Sequence, residues 1–169
     1  FFFCDTHVQV DPTAEQIAES ALQAAYRLRL FGITPKVALI SHSNFGSIDT
    51  PCARKMANAL QIMLEKNPRL EAEGEMHADA ALSPEIRAKI FPNGRLEGSA
   101  NLLVLPNLDA ANTAYNLTRV MTDGIGIGPV LMGMGKPAHV LTPGATVRRV
   151  VNMTAIAAVE AQIRAARGA

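Results

Sequence analysis

NLLVLPNLDAANTAYNLTRVMTDGIGIGPVLMGMGKPAHVLTPGATVRRVVNM, residues 101–153, is the stretch on which the fold turns. It opens with a short apolar run closed by Pro106. An apolar-periodic segment follows, with Asp109 as candidate N-cap and Gly124 past its end. Two further apolar runs are broken by glycines and by Lys136-Pro137. The expectation is strand, helix, strand, strand. The turn Leu141-Thr142-Pro143-Gly144-Ala145-Thr146 then feeds a long final helix carrying Arg148 and Arg149 near its start. Two cations in a first turn oppose the helix macrodipole; an anionic ligand would compensate them, and the alternative is a solvated face.

Upstream, the same alternation repeats. Phe1 to Cys4 is a short apolar run, and Thr13-Ala14-Glu15-Gln16 has the form of a capping box before Ile17, Leu22, Ala25 and Leu28, with Gly32 as the stop. KVALIS, residues 36–41, has little polar alternation, as a parallel strand buried on both faces requires. Pro51 suits the first turn of a helix whose Met56, Ala59, Leu60 and Met63 share one side. Leu70 to Met76 is a further strand candidate, His77-Ala78-Asp79 a loop, and Ser83-Pro84-Glu85 the start of a short helix. About five such alternations predict an α/β fold with a mostly parallel sheet.

Composition narrows the function. With 169 residues, 49% of them hydrophobic, the chain can bury the core of one domain or of two small lobes. A net charge of +1 with no tryptophan and two tyrosines gives no basic, aromatic-studded surface for nucleic acid, which leaves small molecules as the expected ligands. Cys4 and Cys52 lie far apart and the four histidines have no metal-ligand spacing, so neither a disulfide framework nor a metal site is indicated and the expected compartment is cytoplasmic. No apolar run reaches the length of a membrane span. A chain opening on FFFCD, inside an apparent strand, is expected to be a fragment.

Ligands of parallel α/β sheets bind beyond the carboxyl ends of the strands, which points to the loops starting at His42, His77, Asn107 and Thr142. The loop Ser41-His42-Ser43-Asn44-Phe45-Gly46-Ser47 offers hydroxyls, an amide and a glycine that would let backbone N–H groups approach a phosphate; an ordinary βα turn has the same composition. His42 ranks first among His7, His42, His77 and His139 because of that loop. Asp79, Asn107, Asp109 and Asn112 also suit turns and caps, Asp109 most simply a cap. Cys4 and Cys52 have the setting of buried thiols rather than nucleophiles. Residues 124–129, GIGIGP, precede an apolar run instead of a capped helix, so a dinucleotide fingerprint is not expected.

Three blocks carry a resemblance. Gly74-Glu75-Met76-His77-Ala78-Asp79-Ala80-Ala81 is similar to the G-E-L-Q-F-D-A-A signature of phosphate acetyl/butyryltransferases. Residues 100–108, ANLLVLPNL, with Ala111-Asn112 and Tyr115, resemble that family's A-N-V-L-V-F-P-x-L…G-N-x-x-Y block. Gly128-Pro129 and Gly133 to Pro137 resemble its G-P-x-x-x-G-x-x-K-P block. Within the family, residues 1–19, FFFCDTHVQVDPTAEQIAE, and 137–155, PAHVLTPGATVRRVVNMTA, are similar to the C-terminal phosphotransacetylase-like region of bacterial multidomain NADP-dependent malic enzymes.

The resemblance implies a three-layer α/β/α fold of the isocitrate/isopropylmalate dehydrogenase-like class, incomplete here: residues 1–141 as the inserted lobe, 142–169 as the closing helical segment, and the N-terminal lobe absent. It also implies a dimer with a cleft for CoA or acetyl-CoA between lobes. Family members follow the K-P block with N-D-L-S-R-G and a later Asp that serve acyl transfer, whereas Thr142, Pro143 and Arg149 stand at those positions here. Pro143 deletes a cation of the kind that stabilises developing negative charge, an electrostatic role worth roughly 3–4 kcal/mol where a comparable donor is removed. Arg149 removes a carboxylate base or orienter, and Thr142 retains only a hydroxyl. The implied function is a transfer-inactive domain that binds acetyl-CoA as an allosteric regulator and supports oligomerisation. NADP and a divalent metal would be held by a malic-enzyme half outside this sequence. The alternatives are a working phosphate acetyl- or butyryltransferase and a purely oligomerising scaffold. The ligand-binding candidates are Ser41, His42, Ser43, Asn44, Thr142, Gly144, Thr146, Arg148 and Arg149.

Overall fold

The computed structural model describes residues 1–166. By internal contacts the chain divides into two compact units, residues 1–117 and the portion from Thr118 onward. The first holds a four-stranded, all-parallel sheet in the order β1-β4-β2-β3, built from β1 (Phe2–Cys4), β2 (Lys36–Ile40), β3 (Glu71–Met76) and β4 (Leu102–Val104). Helices α1 (Ala14–Leu30) and α2 (Pro51–Lys66) connect β1 to β2 and β2 to β3, and α3 (Ala78–Leu82) and α4 (Pro84–Ile90) lie between β3 and β4. The last two helices are α5 (Leu108–Met121) and α6 (Val147–Ala166).

The expected α/β class and parallel sheet are what the chain forms. Strand β2 is buried at every position but its first, because helices cover both faces. On one face α1 and α2 pack together, burying Ile17, Ala21, Leu28, Met56, Leu60 and Met63. On the other, Ala38, Ile40 and Leu103 pack with Met76, Ala80, Ala81 and Ala111. Alternate residues of each strand thus serve opposite cores. Thr13 makes both bonds of its capping box with Gln16, and Ser83 caps α4, as their sequences predict.

Polar side chains fix the edges of this frame. Asn101 donates its backbone N–H to the Lys36 carbonyl (2.9 Å) and receives that of Phe2 on its own carbonyl (2.8 Å). Its side chain accepts the Lys36 N–H through Oδ1 (2.8 Å) and donates from Nδ2 to the Thr34 carbonyl (2.8 Å). The buried Arg87 guanidinium donates to the carbonyls of Ala80 and Leu96, tying α3 and α4 to the segment before β4.

Three local expectations fail. The segment after Met76 is helix α3 rather than a loop, because Ala78-Asp79-Ala80-Ala81-Leu82 is short but helix-favouring and buries Ala80 and Ala81. Asp109 lies within the first turn of α5, and the cap is Asn107, whose Oδ1 accepts the Ala110 N–H at 2.9 Å. Asn107 is the residue left outside the helix once Leu108 enters it, and its amide oxygen reaches the free N–H groups that Asp109 overshoots. The apolar runs around 130 and 140 form no strand among the described residues. Pro129 and Pro137 lack the N–H a ladder needs, and in the second unit Arg164 takes the carbonyls of Gly135 (2.7 Å) and Met134 (3.0 Å). The final helix begins where the 141–146 turn predicts. Residues 167–169 of the expected closing segment fall outside the described ones.

Candidate functional site

The loop after β2 is built around a residue that the site prediction passed over. Register between β2 and β3 shifts by one, Leu39 facing Gly74 and Ile40 facing Met76, so Glu75 is the extra residue on β3. Gly74 makes this possible. Its φ of +146° is open to glycine, and a Cβ there would stand 2.7 Å from the Leu39 carbonyl oxygen. Glu75, only 4% exposed, reaches the β2 loop: its Oε1 accepts the Ser43 hydroxyl at 2.8 Å and the Gly46 N–H at 2.7 Å, while its carbonyl accepts the Phe45 N–H at 2.7 Å. A glycine followed by a carboxylate inside an apolar strand run is the signal that marks such a bulge.

The N–H groups of Ser43, Asn44, Ser47 and Ile48 are committed as well. Ser43 N–H goes to Ser41 Oγ (3.2 Å), Asn44 N–H to Ser47 Oγ (2.9 Å), Ser47 N–H to the Asn44 carbonyl (3.0 Å) and Ile48 N–H to Ser43 Oγ (3.1 Å). The segment is therefore a βα turn with an internal polar core. Ser41 and Ser43 are buried in it, and Asn44 Oδ1 accepts the His77 N–H at 2.7 Å. His42 is the exposed member; its Nε2 lies 3.2 Å from the Thr50 hydroxyl, and its carbonyl lies 2.9 Å from His77 Nε2. What this loop presents outward is the His42 imidazole, beside Thr50, while the half-buried His77 ring bonds to the His42 carbonyl.

At the ends of β1 and β4 the chain adds amides. Asp5 closes a turn by accepting the N–H groups of His7 (2.9 Å), Val8 (3.2 Å) and Gln9 (2.9 Å), and Asn112 donates to the Thr6 carbonyl at 3.2 Å. Cys4, buried beneath, has its thiol pushed up to about 12, chiefly by loss of solvent and secondarily by the Asp5 charge, which makes it inert. Cys52 is free and partly exposed.

In the second unit the 142–149 candidates form a turn and a helix start. The Ala145 N–H bonds to the Thr142 carbonyl (2.9 Å), and Thr146 caps α6 by accepting the Arg149 N–H on its hydroxyl (3.3 Å) and the Val150 N–H on its carbonyl (3.0 Å). Thr146 therefore has a structural task. Thr142, Pro143, Gly144 and Arg148 are exposed. Arg149 is half-buried, and its Nε, shielded from solvent, has no hydrogen-bond partner among the described residues. A buried donor left unpaired costs about 1–3 kcal/mol. Two arginines and a turn of small residues stand at the positive end of a 20-residue helix, where an anion is favoured.

Comparison with known proteins follows this geometry. The profile of the phosphate acetyl/butaryl transferase family matches residues 1–158. The NADP-dependent malic enzyme of Escherichia coli (strain K12) is 56% identical over 162 residues, which cover 95% of this chain and 21% of that protein. The phosphate acetyltransferase of Acetivibrio thermocellus is 35% identical over 163 residues, covering 96% of this chain and 49% of the relative. A solved phosphotransacetylase from Streptococcus pyogenes superposes with a TM-score of 0.91 at 34% identity, over 95% of this chain and 49% of that one. The chain thus spans about a fifth of the malic enzyme and about half of either transferase.

Proposed function

This chain belongs to the phosphate acetyl/butaryl transferase family, and from that premise we propose that it is the phosphotransacetylase-like C-terminal domain of an NADP-dependent malic enzyme, binding acetyl-CoA as a regulator without transferring its acyl group. The observation that carries the reading is the 52–56% identity to malic enzymes against 33–40% to phosphate acetyltransferases, together with Thr142, Pro143 and Arg149 where the resemblance implies the Ser, Arg and Asp of the transferases. The scaffold is retained and the reacting groups are replaced.

The residues fit a CoA ligand. Arg148 and Arg149 offer guanidinium forks to its phosphates, and the exposed 142–145 turn lets the ligand approach α6. In the first unit His42 is a polar group free for its own contacts, and Ser41, Ser43 and Asn44 act by holding its loop on Glu75 and His77. Acyl transfer needs a base for the CoA thiol and a cation for the acyl phosphate, and Pro143 and Arg149 supply neither role in its required position. Regulation follows if acetyl-CoA binds the active and inactive states of the whole enzyme with different affinities.

Decarboxylation of malate, with NADP and a divalent metal, is assigned to the part of the malic enzyme outside this chain. The division into an inserted lobe, 1–141, and a closing segment, 142–169, is part of the same proposal, as is cytoplasmic location. Exposed Ile125, Ile127, Val140 and Val147 support a role in subunit contacts.

The test uses the full-length malic enzyme, assayed for acetyl-CoA formation from acetyl phosphate and, separately, for malate oxidation with and without acetyl-CoA. The regulatory reading expects no acyl transfer and a malate turnover that changes with acetyl-CoA. Acyl transfer that disappears in Thr142→Val would establish the working transferase instead. No acetyl-CoA binding at millimolar ligand would leave only an oligomerising scaffold.

A further inference from the structure

An open pocket lies at the amino-terminal edge of the sheet, the end opposite the loops that follow the strands. It has a volume of about 470 Å³ and is lined by Arg29, Ile33, Thr34, Pro35, Arg69 and Glu71, from the end of α1 and the starts of β2 and β3. We propose that this cavity is a binding site for a small organic phosphate, distinct from the coenzyme site at α6.

Charge is the first argument. Arg29 stands in the last turn of α1 and Arg69 in the turn before β3, and neither guanidinium pairs with a side chain among the described residues. The one carboxylate in the lining, Glu71, is already compensated: its Oε1 accepts the Glu97 N–H at 2.7 Å and lies 3.4 Å from Lys36 Nζ. The lining therefore carries two cations without a counter-charge. Arg29 also complements the negative end of the α1 macrodipole, but that role asks nothing of Arg69, which lies beyond the end of α2.

Shape and chemistry narrow the ligand. Guanidinium forks bind phosphate oxygens in pairs, and two of them match a dianion. The volume falls within the roughly 300–1,000 Å³ of small-molecule pockets and exceeds what a bare phosphate fills. Ile33 and Pro35 give the carbon part of the ligand an apolar surface, and Thr34 a hydroxyl.

The experiment is a titration of the isotopically labelled chain at low ionic strength, following backbone amide resonances, with glycerol 3-phosphate as probe and glycerol and inorganic phosphate in parallel. The expected result is saturable movement of the Gly32, Ile33 and Thr34 amides with glycerol 3-phosphate, weaker binding of phosphate and none of glycerol. Arg29→Gln and Arg69→Gln should each weaken glycerol 3-phosphate by about tenfold. Both side chains are exposed, so unchanged spectra elsewhere verify the fold of each variant. Absence of saturable movement at millimolar probe, or movement that persists in the double variant, would overturn the site. Inorganic phosphate binding as tightly as glycerol 3-phosphate would overturn its assignment to an organic ligand.

Discussion

Ser43 Oγ donates to Glu75 Oε1 across 2.8 Å with both side chains shut away from solvent, so one hydroxyl joins the turn after β2 to the bulge on β3. The same oxygen accepts the Ile48 N–H at 3.1 Å. Removing it leaves the Ile48 N–H unpaired and Glu75 Oε1 with the Gly46 N–H alone. Ser43→Ala is expected to cost about 1–3 kcal/mol, and Ser43→Ala combined with Glu75→Gln less than the sum of the two single changes. Urea unfolding of the four proteins checks this; simple additivity would show that the pair is not a unit.

Gly74→Ala is expected to be more damaging than its one carbon suggests. The new Cβ would meet Leu39 at 2.7–2.8 Å from a backbone whose φ is +146°. Strain of this kind costs on the order of 1–3 kcal/mol, and relieving it means opening the β2–β3 register. A lowered thermal midpoint is the readout. Gly135→Ala, where nothing stands within 4 Å, serves as control.

The two capping candidates for α5 can be separated directly. Asn107→Ala should destabilise by about 1 kcal/mol, since its amide oxygen holds the Ala110 N–H. Asp109→Ala should lose only the smaller attraction of a first-turn carboxylate to the helix dipole, about 0.3–1 kcal/mol. Denaturant midpoints rank the two; the reverse order would restore Asp109 as the cap.

Cys4 gives a pH dependence with a definite sign. Its folded thiol is raised to about 12 from an ordinary value of 9.0, so the folded chain keeps a proton that the unfolded chain releases. The corresponding stability is complete below pH 9 and is lost as pH rises toward 12. Unfolding free energies measured from pH 7 to 10.5 should fall more steeply for the native chain than for Cys4→Ala. Thiol labelling at pH 8 should reach Cys52 and spare Cys4, following exposure and thiolate content.

The frame of this fold was legible because its signals are local. Thr13 with Gln16, Pro51 and Ser83 announce helix starts within four residues, and the unbroken KVALI announces a strand covered on both sides. The failures share one cause. Whether the runs near 130 and 140 become strands depends on a neighbour that accepts their backbone groups, and Arg164, some 30 residues later, takes two of those carbonyls instead. The β2 loop was found by composition, yet its organiser, Glu75, belongs to another strand and is brought to Ser43 only by the register shift. At the second cluster the sequence located the turn and both arginines, but the unpaired Nε of Arg149 and the capping use of Thr146 are matters of geometry.

Asn101 carries a final consequence. Its side-chain amide takes the place of a peptide unit, accepting from Lys36 and donating to Thr34 while its own backbone bonds Lys36 and Phe2. Four bonds to segments more than sixty residues apart in the chain are satisfied at one alignment of β1, β2 and β4, and a slip of one residue would break all four and turn Ala38 and Leu103 away from their core. Parallel strands have no hairpin to count off their pairing. Here a single asparagine does the counting, an indexing pin that lets three distant segments recognise the correct alignment when they first meet.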